Sequence, residues 1–303
     1  QEHHISFFRD PNETARSIAN HSEEDAKVWI DFTKYINKCT HFLEKLYELT
    51  PPKFPNIGFK DVLSMSSMLT PLRKYGTRGL VDFMRVAPMM LLDLMDEWFE
   101  TELLRSAVST AGIHHLSFGP YAAGTGFNLL HQHVHGKGIF HNAHFVKGGT
   151  GQLTNAVKIS AESANVEIRT NTKVTSINVK NGICSGVTLE SGETLYAEQI
   201  VSGLDPNNTF INLVEPSELN PSFFTQIRNI RYRGSTARIH FALNELPEIK
   251  GISKDQMGTV FSASPSIEYL ERTSDSVKYG QVAANPYVEF TIPSVLNPDF
   301  APD

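Results

Sequence analysis

Apolar side chains in the first half of the chain recur at steps of three and four residues. Val28, Trp29, Phe32, Tyr35, Ile36, Cys39, Phe42, Leu43 and Leu46 form one stripe, which predicts a long helix stopped by Pro51-Pro52. Ser22 with Asp25 marks its start, and Asp10 and Glu13 around Pro11 mark an earlier one. Residues 78–100 continue the helical spacing with a break near Pro88, and 101–111 predict a short further helix. Near residue 145 the chain changes character, and from 164 the period falls to two. Val166–Arg169, Lys173–Val179, Ile183–Leu189 and Thr194–Val201 read as strands. Asn181-Gly182 and Ser191-Gly192-Glu193 turn them into an antiparallel meander. Further strands are expected at 234–243, 257–263 and 286–292, and a helix at 221–229. The fold class is α+β or α/β, with helices packed on a mixed sheet.

Composition narrows the function. The 303 residues carry 27 basic and 33 acidic side chains, a formal charge of -6 without a long basic run, which argues against nucleic-acid binding. No apolar stretch approaches the ~18 residues of a spanning helix. Two cysteines cannot staple a scaffold, so a reducing compartment is expected, and Cys39 on the helical stripe reads as a buried structural thiol. With no signal segment, the Asn-x-Thr and Asn-x-Ser triplets at Asn12, Asn20 and Asn207 read as coincidence. A first residue Gln1 and a close on Asn-Pro-Asp-Phe-Ala-Pro-Asp suggest a piece of something longer.

Three glycine pairs begin a dinucleotide fingerprint and do not complete it: Leu129, His141 and Thr154 occupy the third glycine position. There is no phosphate-binding Gly-x-x-x-x-Gly-Lys loop, no zinc-protease motif and no nucleophile elbow. His114, His115, His131, His133, His135, His141 and His144 cluster, and His131, His133 and His135 would share one face of a strand. With both cysteines distant and no carboxylate in the cluster, a metal site is not assigned. Six of the seven methionines, Met65, Met68, Met84, Met89, Met90 and Met95, fall in the helical part. Thioethers line adaptable apolar surfaces, so core filling competes with a substrate pocket formed by Met65, Met68, Met84, Met89 and Met90, or with a membrane-facing patch.

The segment 145–206 carries a signature. It runs Phe145-Val-Lys-Gly148-Gly149-Thr-Gly151, a helix, Asn165-Val-Glu-Ile-Arg169 to Lys173-Val174, a hairpin, and Ala197-Glu-Gln-Ile-Val201-Ser-Gly-Leu-Asp205-Pro206. This resembles the phytoene desaturase and amine-oxidase superfamily of FAD flavoproteins. Within it, the similarity is to the phytoene-dehydrogenase-like branch that includes proteins with a pyridine nucleotide-disulphide oxidoreductase domain. Phe8-Arg9-Asp10-Pro11 and Phe290-Thr-Ile-Pro293-Ser294 resemble the family's substrate-region opening and its last strand.

The resemblance implies a substrate domain of helices and sheet beside part of an FAD-binding domain. The division it suggests is 1–144 mainly helical, 145–206 partly flavin-binding and 207–303 sheet. Val174 would offer backbone contacts to the adenine side of FAD, Ser202 and Gly203 would lie close to the dinucleotide, and Gly148 and Gly149 would permit a tight helix entry beside the flavin. The implied activity is FAD-dependent desaturation or oxidation of an apolar, isoprenoid-like substrate, with a fragment of this extent holding little FAD alone. Peripheral membrane contact and a cytoplasmic site, or a mitochondrial one if the source is eukaryotic, go with that reading. A non-catalytic binding or assembly protein on the same scaffold and a flavin amine oxidase are the alternatives. Catalytic residues are not legible.

Overall fold

The computed structural model describes residues 4–51, 55–56, 58–59, 66, 69–136 and 146–301. In chain order its main elements are α1 Pro11–Ala19, α2 Glu23–Tyr47, α3 Leu69–Val86, α4 Leu91–Trp98, α5 Glu102–Ile113, α6 Thr125–Gln132 and α7 Thr150–Ser163. There follow β1 Val174–Lys180, β2 Ile183–Leu189, β3 Thr194–Tyr196, α8 Pro221–Arg228, β4 Val260–Ala263, α9 Ile267–Lys278, β5 Val288–Thr291 and α10 Pro293–Leu296. They divide into two compact units, one of Gln1–Gly149 with Gly234–Asp303 and one of Thr150–Arg233. The class is α+β.

The first unit is built on α2. Asp10 caps α1 by accepting from Asn12 N at 2.9 Å, with Pro11 in the first turn. Ser22 caps α2 by accepting from Asp25 N at 3.1 Å. The predicted stripe is the buried one: Trp29, Phe32, Ile36, Cys39, Phe42 and Leu43 enter a core with Phe83, Leu94, Phe99, Leu104, Val108 and Leu129. Phe32 meets the ring of Phe99 edge-on at 4.8 Å and that of Trp98 at 5.3 Å. Burial pushes the Cys39 thiol pKa upward, as befits a structural cysteine. Around Pro88 the helical run breaks between α3 and α4, as its missing N–H requires. Helix α9 was not expected; Ser266 caps it by accepting from Tyr269 N, and Ile267 and Leu270 are buried.

The second unit holds the meander, in the order β1-β2-β3 and antiparallel throughout. Asn181 (φ 52°) and Gly182 (φ 75°) make the left-handed two-residue turn that joins β1 to β2. In the first unit β4 pairs antiparallel with β5, Phe261 opposite Phe290 with their rings stacked at 4.8 Å.

Three expected strands are corrected. Residues 166–169 and 234–243 form no ladder, and the strand expected over Thr194–Val201 stops at Tyr196. Their alternation is present, but the side chains meant for a core are exposed: Ile239, Phe241 and Leu243 are open, and Val201 is 95% exposed. A strand needs a hydrogen-bonding neighbour, which pattern alone does not supply. The histidines also depart from strand geometry. His131 lies in the last turn of α6, His133 follows it buried with Nδ1 2.6 Å from Leu129 O, and His135 takes a left-handed φ of 61°. They therefore do not share a face. Among the described residues no group of three His, Cys, Asp or Glu side chains could hold a metal ion. No described helix is long and apolar enough to cross a membrane.

Candidate cofactor-binding site

Gly148 and Gly149 have φ of 74° and 90°, two successive left-handed residues ahead of α7. The turn closes through Gly149 N to Val146 O at 2.9 Å. A Cβ on Gly149 would stand 2.7 Å from the Phe300 ring, so close approach as well as φ requires glycine there.

In the second unit, Val174 opens β1 beside an irregularity in register with β2. Its side chain lines a shallow cavity of about 340 Å³ with Val187, Leu189 and Leu195, rimmed by Glu167, Arg169 and Thr172. Arg169 bonds Glu167 at 2.6 Å and Glu193 at 3.1 Å, which holds the rim charges in one geometry. The rim residues were not singled out in the sequence. For Glu167 and Arg169 the signal was the alternating run Val166-Glu-Ile-Arg; Thr172 lies outside it.

Ser202 spends its hydroxyl inside the unit. Its Oγ accepts from Leu204 N at 3.2 Å and lies 2.8 Å from Oγ1 of buried Thr209. Asp205 continues this turn by accepting from Asn208 N at 2.9 Å, and the Asn208 donors hold its carboxyl below the usual range. Gly203 faces open space, since a Cβ there would meet no atom within 4 Å. Val174, Ser202 and Gly203 thus belong to one unit, and Gly148 and Gly149 to the other.

The methionines do not share one environment. Met84 is 63% exposed, Met89 packs partly buried on the core, and Met90 precedes α4 at its N-cap. Met95 is core, while Met65 and Met68 lie outside the described residues.

The family description "Flavin containing amine oxidoreductase" matches residues 60–279. The chain belongs to this family. It is 26% identical over 310 residues to Pyridine nucleotide-disulfide oxidoreductase domain-containing protein 2 of Rattus norvegicus, an alignment covering 97% of this chain and 53% of the relative. To the lycopene-forming phytoene desaturase of a Paracoccus species it is 26% identical, covering 98% and 54%. To the 4,4'-diapophytoene desaturase of a Methylomonas species it is 24% identical, covering 54% and 31%. The chain spans about half the length of the curated relatives it matches over its whole extent. The cofactor of the family is a flavin.

Proposed function

We propose that this chain is the substrate-side part of an FAD-dependent oxidoreductase that desaturates or oxidises an apolar, isoprenoid-like molecule. The observation that carries this reading is the match of family and desaturase relatives to a chain whose second unit leaves its apolar positions uncovered. Leu153, Val157 and Ile159 on α7, then Val166, Ile168 and Val201, are all exposed. Surface of that kind is ordinarily covered by protein, and the relatives are about twice as long as the chain.

In this reading Val174 gives its backbone to the adenine side, Ser202 shapes the turn that keeps Gly203 open to the dinucleotide, and Gly148-Gly149 bends the chain tightly beside the flavin. A bound flavin supplies the acceptor for a hydride equivalent, and the protein supplies position and exclusion of water. For a hydrocarbon substrate little acid–base machinery is needed. The exposed Leu80, Val81 and Met84 on α3 support contact with a membrane surface, from which an apolar substrate would be drawn.

The test is a flavin spectrum. This chain incubated with FAD and desalted is expected to keep no stoichiometric visible absorption, and a longer protein containing it is expected to keep the full band. That longer protein should then lose its flavin colour anaerobically when given an isoprenoid polyene. A longer protein that takes up no FAD would overturn the proposal.

A further inference from the structure

Helix α3 is apolar on two sides. Gly76, at φ 76° and ψ 166°, interrupts it, so Thr77 to Val86 form a segment of their own. Phe83 and Val86 turn inward, the Phe83 ring meeting that of Phe42 edge-on at 5.1 Å. Leu80, Val81 and Met84 turn outward, and Val81 and Met84 are each 63% exposed. Their spacings of one, three and four residues put all three on one helical face.

The charge beside that face is one-sided. The run 73–85 holds Arg73, Lys74, Arg78 and Arg85 against Asp82 alone, in a chain whose formal charge is -6. Arg85 is committed to Glu97, both carboxylate oxygens lying 2.7 Å from Nη1. Arg73 and Arg78 are exposed. Exposed Lys38 comes alongside from α2, its Nζ 5.1 Å over the Tyr75 ring and its Cε 3.1 Å from where a Cβ on Gly79 would stand. The other lysines of α2 are neutralised in place, Lys27 by Glu24, Lys34 by Asp31 and Lys45 by Glu48. Lys38, Arg73 and Arg78 form no ion pair among the described residues.

We propose that α3 is an interfacial helix that seats this protein on a bilayer carrying anionic headgroups. Leu80, Val81 and Met84 enter the acyl boundary, and Lys38, Arg73 and Arg78 take the headgroup phosphates. This deepens the membrane contact of the function proposed above and rests on that part of it.

Charge complementarity chooses the occupant. A chain of -6 is repelled overall by an anionic surface, so a local excess of positive charge is what can hold it there. Three apolar side chains make too small a patch for a stable protein interface, which takes about 800 Å² from each partner. A second copy of the chain would set the same cations against one another. A helix lying in a headgroup layer instead carries cations around its apolar face, and the long stems of lysine and arginine reach past that face to the phosphates.

The test is sedimentation of this chain with phosphatidylcholine vesicles, alone or mixed with phosphatidylglycerol. Binding to the mixed vesicles is expected to be about tenfold tighter or more, and to weaken with added salt. Arg78→Gln should weaken it about fivefold, the worth of one cation near such a surface. Val81→Ser with Met84→Ser should weaken it about tenfold or more, through lost apolar burial. Lys27→Gln, at a cation already paired, and Leu153→Ser with Val157→Ser on α7 should leave it unchanged. All these positions are exposed, so each variant should melt like wild type by circular dichroism. Equal binding to the two kinds of vesicle, or binding undiminished by Val81→Ser with Met84→Ser, overturns the proposal. So does a longer flavoprotein that fails to sediment with the mixed vesicles, which would mean that protein covers α3. FAD uptake and bleaching by a detergent-dispersed polyene are read without a bilayer, so the flavin reading stands or falls separately.

Discussion

Asp25 is a residue whose type was legible and whose partners were not. As the third residue of α2 it matches the start signal with Ser22, but its carboxylate is 2% exposed and reaches far along the chain. Oδ1 accepts from Glu100 N at 2.9 Å and Oδ2 from Thr101 N at 2.8 Å, satisfying donors where α4 hands over to α5. Asp25→Asn leaves one of those donors facing an amide N–H. It should cost about 1.5–3 kcal/mol, the worth of a hydrogen bond to a charged group. Urea unfolding followed by Trp29 and Trp98 fluorescence reports it, since both rings lie at this core. A loss no larger than that of Asp31→Asn, an exposed partner of Lys34, would contradict the assignment. Tyr35 adds a pH dependence. Burial raises its hydroxyl from 10.0 to about 12, so the folded chain keeps a proton that the unfolded chain releases. Stability should fall as pH climbs from 10 towards 12, and Tyr35→Phe should flatten that fall in the same urea assay. The pairing of His114 Nε2 with Glu289 Oε2, at 3.1 Å, had no signal at all in the sequence, because 175 residues separate its members and no spacing rule spans that distance.

At the scale of elements, legibility followed local periodicity. Helix α2 buries the stripe its sequence shows, and the Asn181-Gly182 turn sets the hairpin register, because both depend on residues a few positions apart. Helix α9 was missed because its apolar content is thin: Ile267 and Leu270 are buried, while Glu268, Arg272 and Asp275 make surface ion pairs. The extended 234–243 run errs the other way, a strand pattern with no ladder partner among the described residues. Packing between elements shows most plainly at Gly126 of α6. A Cβ there would stand 2.4 Å from Val86 O and 3.2 Å from Met89 O, and its N–H already donates to Met89 O at 3.0 Å. The obstacle is a backbone carbonyl, so Gly126→Ala must push α6 away from the turn between α3 and α4. The expected cost is about 1–3 kcal/mol, as for an overpacked core site. Gly124→Ala, with open space around it but φ of 85°, separates backbone strain from this clash. A circular-dichroism melt in which Gly126→Ala matches wild type would contradict the close packing of α6.

Across the whole molecule the two units differ in what they bury. The first has a continuous core of aromatic and aliphatic side chains drawn from α1 to α6 and α9. The second buries little beyond Leu189, Val214 and Ile227, and α7 buries no residue. Helix α7 owes little to tertiary packing in this chain, although packing of an apolar face is what ordinarily stabilises a helix of this length. Its exposed Leu153 and Val157 stand four residues apart, on one face. The double change Leu153→Ser with Val157→Ser should therefore leave the melting of this chain nearly unchanged and raise its solubility, since surface substitutions cost little. In the longer flavoprotein proposed above, the same pair should cost about 1.5–3 kcal/mol per side chain, the worth of burying an aliphatic group, and should weaken FAD retention. The two melts and one flavin titration, read together, decide the matter. Equal effects in both proteins would mean that this face of α7 stays bare, and the covering surface assigned to the remaining half of the flavoprotein would have to lie elsewhere.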